Sequence, residues 1–217
     1  MDKKLYDLMD WAGIEEIVYS EAADPHKLLG PHVTDDGLLI SAFIPTAVMV
    51  TVRLASSGKE FPMELADEAG FFSALIPRKN IPEYTLLVVY DNGTTEELYD
   101  PYAFSPLYTE SDLKKFEAGV HYTIYEKMGA HPANINGVAG VYFSVWAPCA
   151  MRVSVVGDFN LWDGRRHQMR RLGDSGIFEL FIPGLASGLI YKYEIKNGHG
   201  DPQLKADPYG NFCELRP

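Results

Sequence analysis

The sequence has few cysteines and no long apolar run. Only two cysteines occur in 217 residues. Their positions, Cys149 and Cys213, match neither a disulfide framework nor a metal-binding motif, so two free thiols are the simpler interpretation. No apolar stretch approaches the roughly 20 residues of a transmembrane helix, and the N-terminus leads into a charged amphipathic stretch instead of a signal-peptide core. These absences favour a cytoplasmic protein and predict no membrane partner.

The sequence also lacks an excess of basic residues. The formal net charge is −11, and it is unevenly distributed. Residues 1–108 hold 7 Lys/Arg and 18 Asp/Glu, whereas residues 109–217 hold 12 of each kind. Because nucleic acid is bound by basic surfaces, a nucleic acid partner is not expected. The neutral second half is compatible with an uncharged ligand.

Signatures of catalysis are missing as well. The six histidines fall in no spacing typical of a metal site, and there is neither a nucleophile elbow nor a phosphate-binding loop. Neither a metal nor a cofactor is therefore predicted. Asp158 and Asp163 could be imagined as glycosidase carboxylates, which lie about 5–10 Å apart in such enzymes. Both stand in turn contexts, where Asp side chains bond their own backbone, so no catalytic residue is assigned.

The two halves of the chain repeat one another. Matching glycine, serine, proline and alanine residues recur at a shift of 103 between residues 37–47 and 140–150. Further matched segments follow in the same order with small gaps: 70–77 with 176–183, 91–93 with 196–198, and 100–102 with 207–209. An ordered series of this kind indicates a duplicated module. We predict two domains, 1–108 and 109–217.

Each copy has the pattern of an antiparallel sandwich. Apolar and polar residues alternate in 152–155 and 191–195, as expected when one sheet face is buried. The dipeptides at 92–93 and 197–198 are Asn-Gly, which favours hairpin turns. The sequence therefore predicts an all-β chain of two tandem immunoglobulin-like antiparallel β-sandwiches.

Two helical segments are predicted outside the repeat. Apolar residues from Leu5 to Ala12 have helical spacing, and Gly13 is expected to end this short N-terminal helix before a second turn or two. Residues 105–124 are expected to form a short helical connector between the two modules.

The segment 157–164 of the second copy is the most informative part of the sequence. It places Trp162 among glycine, asparagine and aspartate, in a loop of the kind that runs over a protein surface. A flat aromatic ring can stack on a pyranose while amides and carboxylates bond its hydroxyls. Trp162, Asn160 and Asp163 are therefore interpreted as a carbohydrate-binding cluster. The alternative is that Trp162 closes the end of the sandwich.

Two other residues are interpreted from the strand pattern. Lys192 alternates with Tyr191 and Tyr193 and so faces away from the core. Taken alone, it is an ordinary surface lysine. Trp146 stands in a strongly apolar strand and is predicted to be a core residue.

Much of the second copy resembles a known module. Residues 143–148 and 153–165, with later segments through 207–209, are similar to the N-terminal module of the α-amylase superfamily. This carbohydrate-binding module is shared by branching enzymes, debranching enzymes and the β subunit of AMP-activated protein kinase. The first copy, through residues 24–32, resembles the extra module in front of it in bacterial glycogen branching enzymes. The resemblance covers nearly the whole chain and points to the N-terminal region of that family.

The resemblance implies a role in glycogen biosynthesis. In the family a catalytic (β/α)₈ barrel follows the two modules, cleaves an α-1,4 glucan through a carboxylate nucleophile and an acid/base, and transfers the chain to a 6-hydroxyl. The expected partners are therefore α-glucan (glycogen or maltooligosaccharides) and that barrel. Since residues 1–217 contain no barrel pattern, this chain is expected to be inactive alone as a glycosyltransferase.

The resemblance also implies ligand contacts. Trp162 and Lys192 match the tryptophan and lysine that hold glucan in the kinase subunit's module. The second tryptophan of that clamp is missing, because His199 and Gly200 stand in its place. The first copy lacks the aromatic loop altogether, and that module is expected to be structural or to position long glucan chains.

Two other classes of function stay open at the level of the sequence. One is a free-standing glucan-binding or regulatory module with no transferase. The other is a sandwich that serves only protein–protein contact.

Overall fold

The computed structural model describes residues 2–198 and 200–213, so His199 lies outside the described residues. The α-helices in this part of the chain are Lys3–Leu8 (α1), Trp11–Val18 (α2) and Glu110–Glu117 (α3). The strands of the first half are Gly30–Val33 (β1), Leu38–Phe43 (β2), Ala47–Leu54 (β3), Glu60–Pro62 (β4), Glu64–Asp67 (β5), Phe71–Ile76 (β6), Tyr84–Tyr90 (β7) and Thr95–Leu98 (β8). Those of the second half are Gly129–Ile135 (β9), Val138–Trp146 (β10), Arg152–Gly157 (β11), Arg170–Arg171 (β12), Ile177–Pro183 (β13), Tyr191–Lys196 (β14) and Gln203–Lys205 (β15).

The chain divides into two compact units, residues 1–103 and 104–217. The first unit pairs a sheet of order β1-β2-β6-β5 with a sheet of order β4-β3-β7-β8. The second unit pairs β12-β13-β10-β9 with β11-β14-β15. All strand pairs given by the structure are antiparallel. The predicted fold class, two tandem antiparallel β-sandwiches, is confirmed.

Two simpler properties bear on the expectations above. In the described part of the chain, no helix combines the length and apolar character needed to cross a membrane. Cys149 and Cys213 are exposed free thiols.

The interior of each sandwich is formed by the alternate residues that the sequence pattern assigns to one sheet face. In the first unit, apolar residues of β2 and β6 pack against those of β3 and β7. In the second, the inward residues of β10, β11 and β13 are buried in the same way. Burial of these side chains is the main source of stability for the fold.

The helices α2 and α3 occupy matching places in the two halves, so the prediction that the helical segments lie outside the repeat is wrong for these two. Both α2 and α3 have eight residues, and their starts differ by 99 positions, 11 against 110. The 3₁₀ turns Pro25–Lys27 and Ile124–Glu126 keep that shift, as do the starts of β1 and β9, 30 against 129. The sequence pattern missed this match because the two helices share a position in the fold and few residue types.

The expected end of the first helix is also corrected. Gly13 lies inside α2, and its backbone N–H donates to the side chain of Asp10 at 3.1 Å. Asp10 therefore caps a second helix at the point where the glycine predicted a stop. Gly13 also packs close to Leu28, where a Cβ would lie 2.5 Å from a side-chain carbon. Close packing explains the glycine there.

Each sandwich is closed by a carboxylate that binds tyrosine. Asp100 is buried, accepts a hydrogen bond from the Tyr84 hydroxyl at 2.6 Å, and accepts another from the Tyr102 backbone N–H at 2.9 Å. In the second unit Asp207 accepts from the hydroxyl of Tyr191 and from the backbone N–H of Tyr209. In both units, the aspartate of the repeated Asp-Pro-Tyr sequence therefore hydrogen-bonds the segment after the last matched strand to the sandwich.

The two units differ at one buried polar position. Ser41 and Ser73 are register partners in the first unit and hydrogen-bond at 2.8 Å. In the second unit Glu179 replaces the second serine opposite Ser144. Glu179 is fully buried, pairs with Arg170 at 2.7 Å, and accepts the backbone N–H of Leu107 at 3.2 Å.

These contacts tie the segment before α3 to the second sandwich. Tyr108 is buried beside Ser144, with their hydroxyl oxygens 2.7 Å apart, and Arg170 donates to the carbonyl of Phe104 at 3.0 Å. The unit boundary therefore falls at 103/104, five residues before the predicted 108/109.

We predict that Asp100 gives the first unit a specific pH dependence. Burial raises the pKa of Asp100 to about 6, although the hydrogen bonds from Tyr84 and Tyr102 favour its ionised form. The folded chain therefore holds the proton more tightly than the unfolded chain. The resulting stability is present below about pH 4 and is lost as the pH rises through about 6. Relative to Asp100→Asn, the wild-type free energy of unfolding should fall by about 2 kcal/mol between about pH 4 and pH 7.

Urea unfolding at several pH values measures this difference. Asp91→Asn, at an exposed turn, is the matched control and should follow the wild-type profile. Parallel profiles for wild type and Asp100→Asn would contradict the prediction.

Candidate functional site

The loop that leaves β11 has an uncommon backbone. After the 3₁₀ turn Asp158–Asn160, both Leu161 and Trp162 adopt left-handed conformations with φ of 59°. Such a conformation is disfavoured for residues with a side chain, and strain of this kind clusters at binding sites. Leu161 is 78% exposed and Trp162 is 36% exposed. The loop therefore presents two adjacent apolar side chains to solvent, which we call the indole shelf.

The ring of Trp162 is fixed by its neighbours. Its Nε1–H donates to Asp158 Oδ1 at 2.8 Å, and its backbone N–H donates to the carbonyl of Gly157 at 3.0 Å. The indole nitrogen is thereby occupied, whereas part of the ring surface stays open. Trp162 is therefore not sealed within the interior, although most of its surface is covered.

Asn160 supports the loop from below and does not face a ligand. It is fully buried. Its Oδ1 accepts the backbone N–H of Gly157 at 3.0 Å, and its Nδ2 donates to the carbonyl of Val155 at 2.8 Å. The interpretation of Asn160 as a sugar-contacting amide is corrected, because its amide is used by the loop itself.

His167 completes this buried arrangement. The two backbone partners of Asn160 fix which end of its amide is nitrogen, so Nδ2 donates to Nδ1 of His167 at 2.9 Å. Burial, with a smaller effect from the charge of Arg166, lowers the pKa of His167 to about 3, against the opposing charge of Asp163. A neutral imidazole with an unprotonated Nδ1 is the form that can accept this bond.

Asp163 is paired with Arg165. The carboxylate binds the Arg165 guanidinium through two nitrogens, with distances of 2.9 and 2.7 Å, and accepts the Arg165 backbone N–H at 3.0 Å. Burial raises the pKa of Asp163, but these hydrogen bonds and the charges of Arg165 and Arg166 outweigh it and hold the pKa below its usual value. Asp163 is therefore an ionised group with a partner already in place.

Lys192 lies on the same strand pair as the loop. It is exposed on β14 opposite Val156, the residue before Gly157, from which the loop departs. The predicted outward orientation is confirmed by this exposure. Of the four predicted site residues, the structure thus leaves Trp162 and Lys192 accessible at one end of β11 and β14, holds Asp163 in an ion pair, and buries Asn160.

Trp146 is not a core residue, and that prediction is wrong. It is 55% exposed at the last position of β10. Its indole N–H donates to the carbonyl of Ser175 at 3.1 Å, and its ring meets Phe116 edge-on at 6.1 Å. The strand is apolar, but its end lies at the rim of the sheet.

Sequence reasoning missed two residues of the site. Leu161 adds apolar surface beside Trp162, and an apolar residue in a polar loop was the available signal. Arg152 is 2% exposed beneath the loop, and nothing in its local sequence distinguishes it from a surface arginine. Among the described residues there is no group of three or more histidine, cysteine or acidic side chains that could hold a metal.

A sandwich that presents a fixed, open indole on a strained loop has the features of a carbohydrate-binding module. Residues 127–210 match the family model of carbohydrate-binding module 48, the isoamylase N-terminal domain. Residues 10–102 match the model of the N-terminal domain of the α-1,4-glucan branching enzyme GlgB. The chain therefore consists of a GlgB N-terminal domain followed by a domain of the carbohydrate-binding module 48 family.

A curated relative supports this assignment. The chain is 47% identical over 209 residues to the 1,4-alpha-glucan branching enzyme GlgB of Thermosynechococcus vestitus. The match covers 94% of this chain and 27% of that protein, so the chain spans about a quarter of its relative's length.

Solved structures give more distant likenesses. A pullulanase from Anoxybacillus sp. LM18-11 in complex with maltotetraose is 16% identical, with a TM-score of 0.32, over 83% of this chain and 24% of that chain. A maltotriose complex of a PulA mutant from Klebsiella pneumoniae is 17% identical, with a TM-score of 0.34, over 83% and 23%. TM-scores this low do not establish a common arrangement of the whole chain.

We predict that Asn160→Ala destabilises the second unit. The change leaves the N–H of Gly157 and the carbonyl of Val155 without their buried partner, at a cost of about 2–4 kcal/mol. Chemical unfolding followed by circular dichroism measures the loss. Asn134→Ala, at an exposed position of β9, should change the free energy of unfolding by less than about 0.5 kcal/mol. Equal stability of the two variants would show that the Asn160 amide does not support the loop.

Proposed function

We propose that the second unit binds α-glucan through the indole shelf and Lys192, and that the chain is the glucan-positioning part of a branching enzyme. One observation carries the proposal: two adjacent non-glycine residues are held in the left-handed region so that an indole stays exposed. Stability alone does not require this arrangement, because an exposed apolar ring and a strained backbone both oppose folding.

The chemistry of the shelf fits a neutral sugar. The open ring surface of Trp162, next to Leu161, offers a flat apolar area on which the apolar face of a glucose unit can stack. Because its nitrogen already donates to Asp158, the indole contributes stacking and no further hydrogen bond. Lys192 has donors for sugar hydroxyls, and Arg165 can extend this set while it stays paired with Asp163. Asn160 is left out of the proposed contacts.

The first unit has no counterpart of the shelf. Where the second unit has the long loop after β11, the first passes from β3 to β4 through a short turn at 55–59. We propose that this unit, with its acidic surface, is structural or positions long chains, and does not bind a glucan end by stacking.

The reaction itself is assigned to the part of the longer protein outside this chain. In the relative named above, the matching region is 27% of the length. Within the loop, Asp158 is bonded to Trp162 and Asp163 to Arg165, so neither is placed as a free catalytic carboxylate. We propose that these modules hold α-1,4 glucan while a catalytic barrel cleaves it and transfers it to a 6-hydroxyl, and that residues 1–217 alone have no transferase activity.

We predict that Trp162→Ala weakens maltoheptaose binding. Covering the exposed part of an indole contributes about 2 kcal/mol at about 25 cal/mol per Å², which corresponds to about thirtyfold in affinity. Isothermal titration calorimetry measures both proteins without relying on the deleted fluorophore. The control is Trp11→Ala, a tryptophan of the first unit with a similar 38% exposure, which should bind as the wild type does. Wild-type affinity in Trp162→Ala would refute direct sugar contact at the shelf.

We predict that Lys192→Ala reduces retention in glycogen affinity gels without lowering the melting temperature. The expected loss is about 1 kcal/mol, or about fivefold, because one exposed hydrogen-bond donor is removed. Lys205→Ala, an exposed lysine of β15 in the same sheet, is the control and should migrate as the wild type does. Equal mobility of the two variants would remove Lys192 from the site.

A further inference from the structure

A largely buried ion pair lies against Gly164 of the loop that carries the indole shelf. On the outer face of β11 and β14, Arg152 pairs with Glu194 at 2.8 Å and donates to Ser154 Oγ at 2.7 Å. The same guanidinium nitrogen lies 3.4 Å from the carbonyl oxygen of Gly164, at the far side of the loop. Arg152 thus bridges the sheet and the loop from a position that is almost fully buried.

The loop backbone rests directly on Glu194. A Cβ built on Gly164 would overlap the Glu194 carboxylate in its present position, so the glycine lets the loop and this carboxylate lie in direct contact. The loop is then returned to β11: the backbone N–H of Met169 donates to Val153 at 2.8 Å, and that of Val155 donates to His167 at 3.1 Å. The segment that carries the shelf is therefore held over the outer face of the strand pair.

The first unit provides an internal comparison. Register places Ser154 opposite Glu194 and Arg152 opposite Lys196 in the second unit. The equivalent rows of the first unit pair Thr51 with Leu87 and Met49 with Val89. The copy with the loop has arginine and glutamate on this face. The copy without the loop has methionine and leucine at the same two places.

Stability alone does not account for the pair. Removing two charges from water costs several kcal/mol, and apolar side chains of similar size are commonly as stable or more stable in such positions. The first copy has Met49 and Leu87 at these places, and Met49 is 51% exposed there. The pair appears only where a loop carbonyl must be held above the sheet.

We propose that Arg152 and Glu194 are positioning residues of the glucan site. Glu194 orients the Arg152 guanidinium, which holds Gly164 and thereby sets the position of Trp162, two residues earlier, relative to Lys192. The proposal rests on the function proposed above, because it concerns the geometry of the same site. It adds that the position of Trp162 depends on side chains of β11 and β14 as well as on the loop.

The test replaces the pair by the residues of the first copy, Arg152→Met together with Glu194→Leu. No charge is left buried without a partner, so the melting temperature should be equal or higher. Maltoheptaose affinity should nevertheless fall by about tenfold, because the ring is no longer held in its binding position. In a background with Trp11→Phe and Trp146→Phe, acrylamide quenching of Trp162 fluorescence should rise in the absence of any sugar.

Two further variants make the test decisive. Arg53→Met changes an arginine of the first copy that pairs with Glu60 and Glu97 on the corresponding face; it should alter neither affinity nor quenching. If the double variant does not fold, Gly164→Ala replaces it. This change keeps both charges but crowds the Glu194 carboxylate, so it disturbs the contact between the loop and the ion pair. It should lower affinity and raise quenching in the same way.

The outcomes separate this proposal from the one on which it rests. A folded double variant with wild-type affinity and quenching overturns the positioning role, even while Trp162→Ala still weakens binding. If the wild type binds no maltoheptaose, the function proposed for the site fails. The quenching comparison then decides by itself whether the pair holds the loop.

Discussion

The candidate site depends on the buried amide of Asn160. A run of two left-handed residues with side chains costs of the order of 1–3 kcal/mol for each, and an exposed indole adds no stability. The hydrogen bonds of Asn160 to Gly157 and Val155, with a neutral His167 as third partner, offset this cost by satisfying buried backbone groups. Because both N–H groups of the amide are used within the loop and the residue is fully buried, Asn160 shapes the loop from inside.

The two units share the same order of secondary-structure elements, but the side chains on their outer sheet faces differ. Both units have a helix, a 3₁₀ turn, two antiparallel sheets and a carboxylate that accepts from a tyrosine. Closure of the sandwich therefore does not depend on the ligand site. The outer faces of the sheets are where the copies diverge, since side chains there can change without altering the interior.

The outer sheet faces of the two units differ because, in the second unit, other segments of the chain cover them. In the second unit Glu179 replaces a serine, and the segment before α3 packs over it. On the opposite sheet, Arg152 and Glu194 lie beneath the loop that carries Trp162. In both cases a carboxyl group pairs with an arginine, and a backbone group of the covering segment adds a hydrogen bond, which lowers the cost of burying these groups. The two copies also match different families, the GlgB N-terminal domain and carbohydrate-binding module 48.

The sequence by itself determined the features that follow from local rules. Alternation with a period of two, turn dipeptides and the order of matched segments predicted two antiparallel sandwiches, and a polar loop around Trp162 predicted an exposed ring. Which polar residues are buried and which are exposed was decided by the tertiary structure alone. Asn160 and Asp163 look alike in the sequence, yet one is buried and the other pairs at the surface, and Trp146 is exposed although its strand is apolar. These outcomes depend on which distant segment covers an outer face, and a local pattern holds no information about that contact.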